Sequence, residues 1–243
     1  MSAIRGARER ARAEVTAAIK DEARRQLAAE GAAKLSLRAV ARELGMVSSA
    51  LYRYFPSRDD LLTALIVDAY DAVGETAEAA GRTAGVGVAG GAPRGPSAGH
   101  LDRWTAVACA VRDWALAHPH EYALIYGSPV PGYIAPQDTV GPASRVGLLL
   151  IDVMRDAHGT EGLAVPPSDA GLRPEAERMA AELAPDLPPA AVAALVAAWA
   201  QLFGLISFEV FGQFNRVVEA REPFFRQAVR ELGRSVGLLR DSP

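Results

Sequence analysis

Between Leu37 and Phe55 the apolar residues fall at Leu37, Val40, Ala41 and Leu44, then at Val47, Leu51 and Phe55. One glycine, Gly45, separates the two sets, and Pro56 follows directly. Spacings of three and four keep side chains on one face of a helix, so this stretch allows two short helices and little else. Ser36 is a good N-cap for the first. Gly45 supplies the turn, because glycine takes a positive φ without steric cost. Ser48 is expected to cap the second helix, which must stop before Pro56 because the residue ahead of a proline disfavours helical angles. The seven apolar residues are expected to form a small core that fixes the pair at a steep angle. Ala41 is small where the two helices approach.

The residues left outside that core carry the chemistry. The outward face of the second short helix is expected to hold Ser48, Ser49, Ala50, Tyr52, Arg53 and Tyr54. A longer helix precedes the pair, from about Glu9 to Glu30, with Val15, Ile19, Ala23 and Leu27 along one side. Together they describe a helix-turn-helix unit. Its outward face suits a DNA major groove. Hydroxyls bond bases or phosphates, Ala50 can touch a thymine methyl, and Arg53 can reach guanine or a phosphate. Tyr54 reads two ways, as a phosphate contact or as an aromatic covering the bundle.

The run Leu37-Arg38-Ala39-Val40-Ala41-Arg42-Glu43-Leu44-Gly45, continued by Leu51-Tyr52-Arg53-Tyr54-Phe55-Pro56-Ser57-Arg58-Asp59-Asp60-Leu61-Leu62, resembles the DNA-binding region of the TetR family of transcriptional regulators. The likeness covers about Val15 to Ala69. It implies that Ser48, Ser49, Tyr52 and Arg53 read an operator while Ser36, Arg38, Tyr54 and Arg58 hold phosphates. The family usually has histidine where Tyr54 stands and lysine where Arg58 stands. The segment from Trp114 through His118-Pro119 to Gly132 and Tyr133 is similar to a C-terminal ligand-binding domain, of the Trp/His-Pro/Gly-containing (WHG-like) type, found in some of these regulators.

Charge is distributed in keeping with an anionic partner at the front of the chain. Residues 1–60 hold 12 Lys/Arg and 8 Asp/Glu, whereas the remainder holds 14 and 21. The overall net charge of −3 argues against a wholly basic nucleic-acid binder. The arm carrying Arg5, Arg8, Arg10 and Arg12 reads as a frayed, solvated terminus, or as a source of added phosphate or minor-groove contacts. One cysteine, Cys109, excludes an internal disulfide, and the N-terminus has no apolar run behind its arginines. A cytoplasmic location is expected.

The rest of the chain is also helical in pattern, with no alternating β-branched run, so the fold class is all-α. Ser57 opens a long helix toward Ala80, with Asp60 completing a variant of the capping box. Gly81 to Gly99 is rich in Gly, Ala and Pro and reads as a flexible loop. Helices follow near Leu101–Ala117, Pro119–Tyr126 and Thr139–Ala157, then a loose region over His158–Leu172. Three more are expected near Pro174–Leu183, Pro189–Phe214 and Pro223–Leu239. The expected organisation is a DNA-binding domain over 1–56, a connecting helix over 57–80, a loop over 81–100, and a helical effector-binding and dimerisation domain over 101–243.

Ala190 to Phe208 is long and apolar enough to cross a bilayer, but its alanine content and isolation favour a core or subunit-interface helix, and no membrane partner is expected. Trp199 to Gly212 is apolar nearly all round, more than one core face needs. The TetR resemblance implies an isologous homodimer through the last two helices, which would place two reading helices on a palindromic DNA operator. It also implies a repressor released by a small-molecule effector. Trp104, Trp114, Tyr122, Tyr126 and Phe203 are candidates to line a pocket for a hydrophobic or aromatic effector, although aromatics at helical spacing also serve as plain core. An enzyme is not expected. His118 and His120 lack the i, i+4 spacing of a helical metal pair, and Gly127-Ser128 lacks the surroundings of a nucleophile elbow. No cofactor or metal is expected. A helical adaptor that binds other proteins is the remaining alternative, but it has no use for the Ser48–Arg58 face.

Overall fold

The computed structural model describes residues 2–85, 96–160, 162–165, 167 and 169–238. Among these there are ten α-helices and no strand: α1 (Ser2–Glu30), α2 (Leu37–Glu43), α3 (Ser48–Leu51), α4 (Arg58–Gly85), α5 (Pro96–Ala117), α6 (Pro119–Tyr126), α7 (Val140–Thr160), α8 (Arg173–Leu183), α9 (Pro189–Val210) and α10 (Arg221–Ser235). Two 3-10 turns, Ala32–Lys34 and Gln137–Thr139, link helices. The fold is all-α, as the periodicity requires.

Several boundaries differ from the sequence expectation. α1 is helical from Ser2, so the basic arm is not a frayed end in its backbone. α4 runs on past Ala80 to Gly85, because Gly81 is buried and packs tightly, so that a Cβ at this position would lie 3.2 Å from Val107 Cγ2. α5 begins at Pro96, so only residues 86–95 of the expected loop are without a described structure. α9 stops at Val210 rather than Phe214, because the chain turns there and the Phe214 N–H donates to the Phe208 carbonyl. α10 starts two residues ahead of Pro223, which a first helical turn tolerates since its N–H groups have no partner within the helix.

The chain divides into two compact units. The first comprises residues 1–71 and 118–143, the second residues 72–117 and 144–243. In the first, Ile19, Ala23 and Leu27 of α1 meet Leu37, Val40 and Ala41 of α2, Leu51 of α3, Phe55, and Leu61, Leu62 and Leu65 of α4 in one core. The grouping of residues 118–143 with this unit departs from the expected 101–243 domain. The reason is packing. Leu124, Val130 and Tyr133 lie against the same core, and the Tyr133 and Thr63 hydroxyls are 2.9 Å apart.

In the second unit α9 packs on α8, α5 and α10. On and just after α10, Phe225, Val229, Leu232 and Val236 are buried and Ala228 is half-buried beside them. Arg112 of α5 and Glu209 of α9 are buried with them. The guanidinium donates Nε to Oε2 at 2.7 Å and Nη2 to Oε1 at 2.6 Å, and it sits 5.3 Å from the Phe225 ring centroid.

Candidate nucleic-acid interface

The α2–α3 pair is held by backbone chemistry that is encoded locally. The Ser36 hydroxyl accepts from the Ala39 N–H at 3.4 Å, capping α2. At the other end Gly45 takes φ +64, the Gly45 N–H donates to Arg42 O, and the Met46 N–H donates to Ala41 O at 2.8 Å. This is a Schellman ending, which satisfies orphan carbonyls and turns the chain sharply into α3. Met46 packs on the core behind it.

α3 itself is one turn, extended by a further turn through Tyr54. The Phe55 N–H still donates to Leu51 O. Leu51 and Phe55 are buried, and that pair decides which side chains face outward. Ser48, Ser49, Tyr52 and Arg53 are exposed and Ala50 is half-buried beside them. The candidate readers therefore share one outer face.

Two expectations about this segment fail. Val47 is not a core residue but is 69% exposed. Ser48 is not the cap, because it is the first residue inside the helix. Val47 occupies the N-cap position with extended angles and no side-chain capping bond. The three-and-four spacing misleads here because it runs across the start of the helix, where the backbone is not yet helical. Met46 supplies the apolar contact instead.

Arg38 is exposed on α2. Tyr54 is half-buried against the first unit's core, so the covering role is real. Its ring also carries the Arg12 guanidinium 5.1 Å from the centroid, and Arg12 Nη2 donates to the Arg53 carbonyl at 3.4 Å. Arg12 thus belongs to the neighbourhood of the reading helix, a link that spacing gives no means of finding between residues 41 positions apart. Arg8 and Arg10 are exposed, and the side chain of Arg5 lies outside the described residues. Arg58 turns inward: its guanidinium donates to Ala32 O at 2.8 Å and Leu35 O at 3.2 Å, and lies 3.5 Å from Asp59. It fastens the link before α2. Ser57 and Asp60 form the start of α4, with the Asp60 N–H donating to Ser57 Oγ at 3.1 Å and the hydroxyl donating to Asp60 Oδ2 at 2.7 Å.

The five aromatics proposed for an effector divide between the two units. Tyr122 and Tyr126 of α6 stack at 5.1 Å in the first, with Tyr70 meeting Tyr126 edge-on at 5.9 Å. Burial pushes the Tyr126 hydroxyl well above the ordinary tyrosine range. In the second, Trp104 is 1% exposed and its indole N–H donates to Val229 O at 3.0 Å, which is the pattern of a satisfied core tryptophan. Trp114 is buried, and Phe203 meets Trp199 edge-on at 5.7 Å. A groove of about 500 Å³ on the first unit, between Arg12, Thr16, Lys20, Arg24 and Asp68, contains none of the five. No cluster of three or more metal-ligating side chains occurs among the described residues.

Comparison with known proteins agrees with this geometry. Residues 19–65 match the family model for bacterial regulatory proteins of the tetR family, and residues 104–232 match a tetracyclin repressor-like C-terminal domain. The chain is 41% identical over 221 residues to the HTH-type transcriptional regulator Rv1816 of Mycobacterium tuberculosis and to its counterpart Mb1846 of Mycobacterium bovis, covering 86% of this chain and 86% of theirs. The crystal structure of the putative regulatory protein SCO4313 is similar at 32% identity with a TM-score of 0.73, covering 92% of this chain and 97% of that one. The TetR family regulator PfmR of Thermus thermophilus shares the fold at 18% identity and a TM-score of 0.52, covering 91% and 99%. The α2–α3 unit is therefore a DNA-binding element rather than an adaptor surface or a catalytic site, and the chain belongs to the TetR family of transcriptional regulators.

Proposed function

We propose that this regulator is a cytoplasmic repressor that binds a palindromic operator as a homodimer and leaves it when a small, hydrophobic or aromatic effector binds. The observation that carries the DNA half of this reading is the exposed Ser48, Ser49, Tyr52 and Arg53 face backed by buried Leu51 and Phe55. Ser48, Ser49, Ala50, Tyr52 and Arg53 read bases. Arg38, Tyr54 and the Ser36 hydroxyl, which keeps a proton to donate while it caps α2, hold phosphates. Arg58 is a positioning residue in this scheme, since its donors are directed at Ala32 and Leu35.

The dimer is supported by apolar side chains left outside on and after α9. Trp199 is 41% exposed, Phe208 52% and Phe211 43%, with Phe224 of α10 also exposed. Nothing lies within 4 Å of where a Cβ on Gly204 would sit, so a partner helix has room to approach. α9 is long and apolar enough to span a membrane by length and composition, with a mean hydropathy of 2.0. As part of a DNA-binding regulator it is better explained as half core and half subunit interface, burying one face in its own unit and the other against a second copy. Tyr122 and Tyr126 in the first unit, and Trp114 and Phe203 in the second, stay candidates for the effector site, whereas Trp104 serves as core of the second.

A mobility-shift titration on duplexes selected from a random library tests this reading. The expected result is an inverted repeat with half-sites about one DNA turn apart, bound with an affinity that falls steeply as salt rises. A protein that retains no duplex, or binds every duplex alike, overturns it.

A further inference from the structure

Val47 is the side chain in the reading region whose position the fold does not explain. It is 69% exposed, although valine is among the residues most often buried. It stands at the N-cap of α3, where Ser, Thr, Asp or Asn would bond an orphan N–H and stabilise the helix. It makes no such bond. Its carbonyl accepts the first helical hydrogen bonds, from Ala50 at 2.9 Å and Leu51 at 3.4 Å, so its backbone is already committed and only the isopropyl group projects. An apolar residue here is costly in the free protein twice over, through the missing cap and through the wetted methyl groups.

We infer that Val47 is a specificity-determining residue that packs its methyl groups against the 5-methyl of a thymine in each half-site, which rests on the DNA-binding reading above. The docking of a helix-turn-helix points the N-terminal residues of its second helix at base edges in the major groove. Thymine C5 carries the apolar feature of that groove. Val47 directly precedes exposed Ser48 and Ser49, so an apolar reader and two hydroxyl readers enter the groove from one end of α3. Arg53, at the other end, is left to guanine or phosphate. The assignment is distinct from that of Ala50, which is half-buried and has one methyl to offer.

The test replaces each thymine of a selected operator duplex, one at a time, by deoxyuridine, which removes the 5-methyl and leaves base pairing intact. It compares the wild-type protein with Val47→Ala and Val47→Ser by fluorescence anisotropy. The wild type is expected to lose about fourfold in affinity per half-site at one symmetric thymine, the worth of one buried methyl. Both variants should be indifferent to the substitution at that thymine. Val47→Ser should in addition raise the midpoint of thermal unfolding, because it restores a cap, while abolishing the methyl discrimination. Unchanged folding of both variants is checked by circular dichroism. A wild type indifferent to deoxyuridine at every thymine, or variants that still discriminate at the same position, overturns the inference while leaving the regulator reading intact. Failure to select any duplex overturns both.

Discussion

The first unit and the second both bury apolar cores but differ in what their surfaces leave exposed. In the α2–α3 unit the core is apolar and the exposed face is hydroxyl, aromatic and cationic. Around α9 the core is apolar too, but it encloses Arg112 and Glu209, while Trp199, Phe208 and Phe211 face outward. The first is an ordinary small domain whose polar surface is aimed at a polar ligand. The second encloses an ion pair and leaves aromatic side chains exposed, the face for which a second copy of the chain is proposed above. In the proposed scheme the polar face meets DNA and the apolar face meets a second copy.

Breaking the buried pair should have the largest effect. Glu209→Ala leaves a guanidinium enclosed without its carboxylate and is expected to destabilise the fold by about 3–5 kcal/mol, read from urea unfolding. Replacing both members, Arg112→Met with Glu209→Leu, should recover most of that loss, because two well-packed apolar side chains remove the unpaired charge. A double variant as unstable as the single one would mean that the pair is needed for more than charge balance.

Phe208→Ala addresses the outward face. It is expected to weaken self-association by about 2 kcal/mol or more, as large aromatics at interface centres commonly do, with sedimentation velocity as the measurement. If the particle size is unchanged at every concentration, the apolar face has some other use. On the DNA side, Arg53→Ala should cost about 1–3 kcal/mol of operator affinity if the guanidinium bonds guanine in bidentate fashion. A loss spread evenly over all sequences would reassign Arg53 to the phosphates. The smallest effect belongs to Ser36→Ala, about 1 kcal/mol of stability through the lost cap on α2, followed by thermal melting.

The comparison also separates what is legible along the chain. The α2–α3 unit is legible nearly whole because its determinants are local: a cap at Ser36, a positive-φ glycine at Gly45, and i, i+3, i+4 spacing through Leu51 and Phe55. Val47 defeats that reading since periodicity holds only where the backbone is helical, and it precedes the helix. The inward direction of Arg58 and the stacking of Arg12 on Tyr54 depend on segments far apart in sequence. So does the burial of Gly81, which carries α4 past the point where glycine content alone would end it.

By itself, then, the order of residues determined the helical class, the reading unit and its outer side chains, and an apolar helix in excess of one core's needs. Helix periodicity, caps and turns act over a few residues, so they are written where they operate. Tertiary structure decided which charges were satisfied internally, as in Arg112 with Glu209 and Arg58 with the carbonyls of Ala32 and Leu35. It also decided that residues 118–143 pack with the DNA-binding unit and that Trp104 is core. Those outcomes depend on which surfaces meet, because a polar or aromatic side chain has the same local pattern whether a neighbour or a partner covers it.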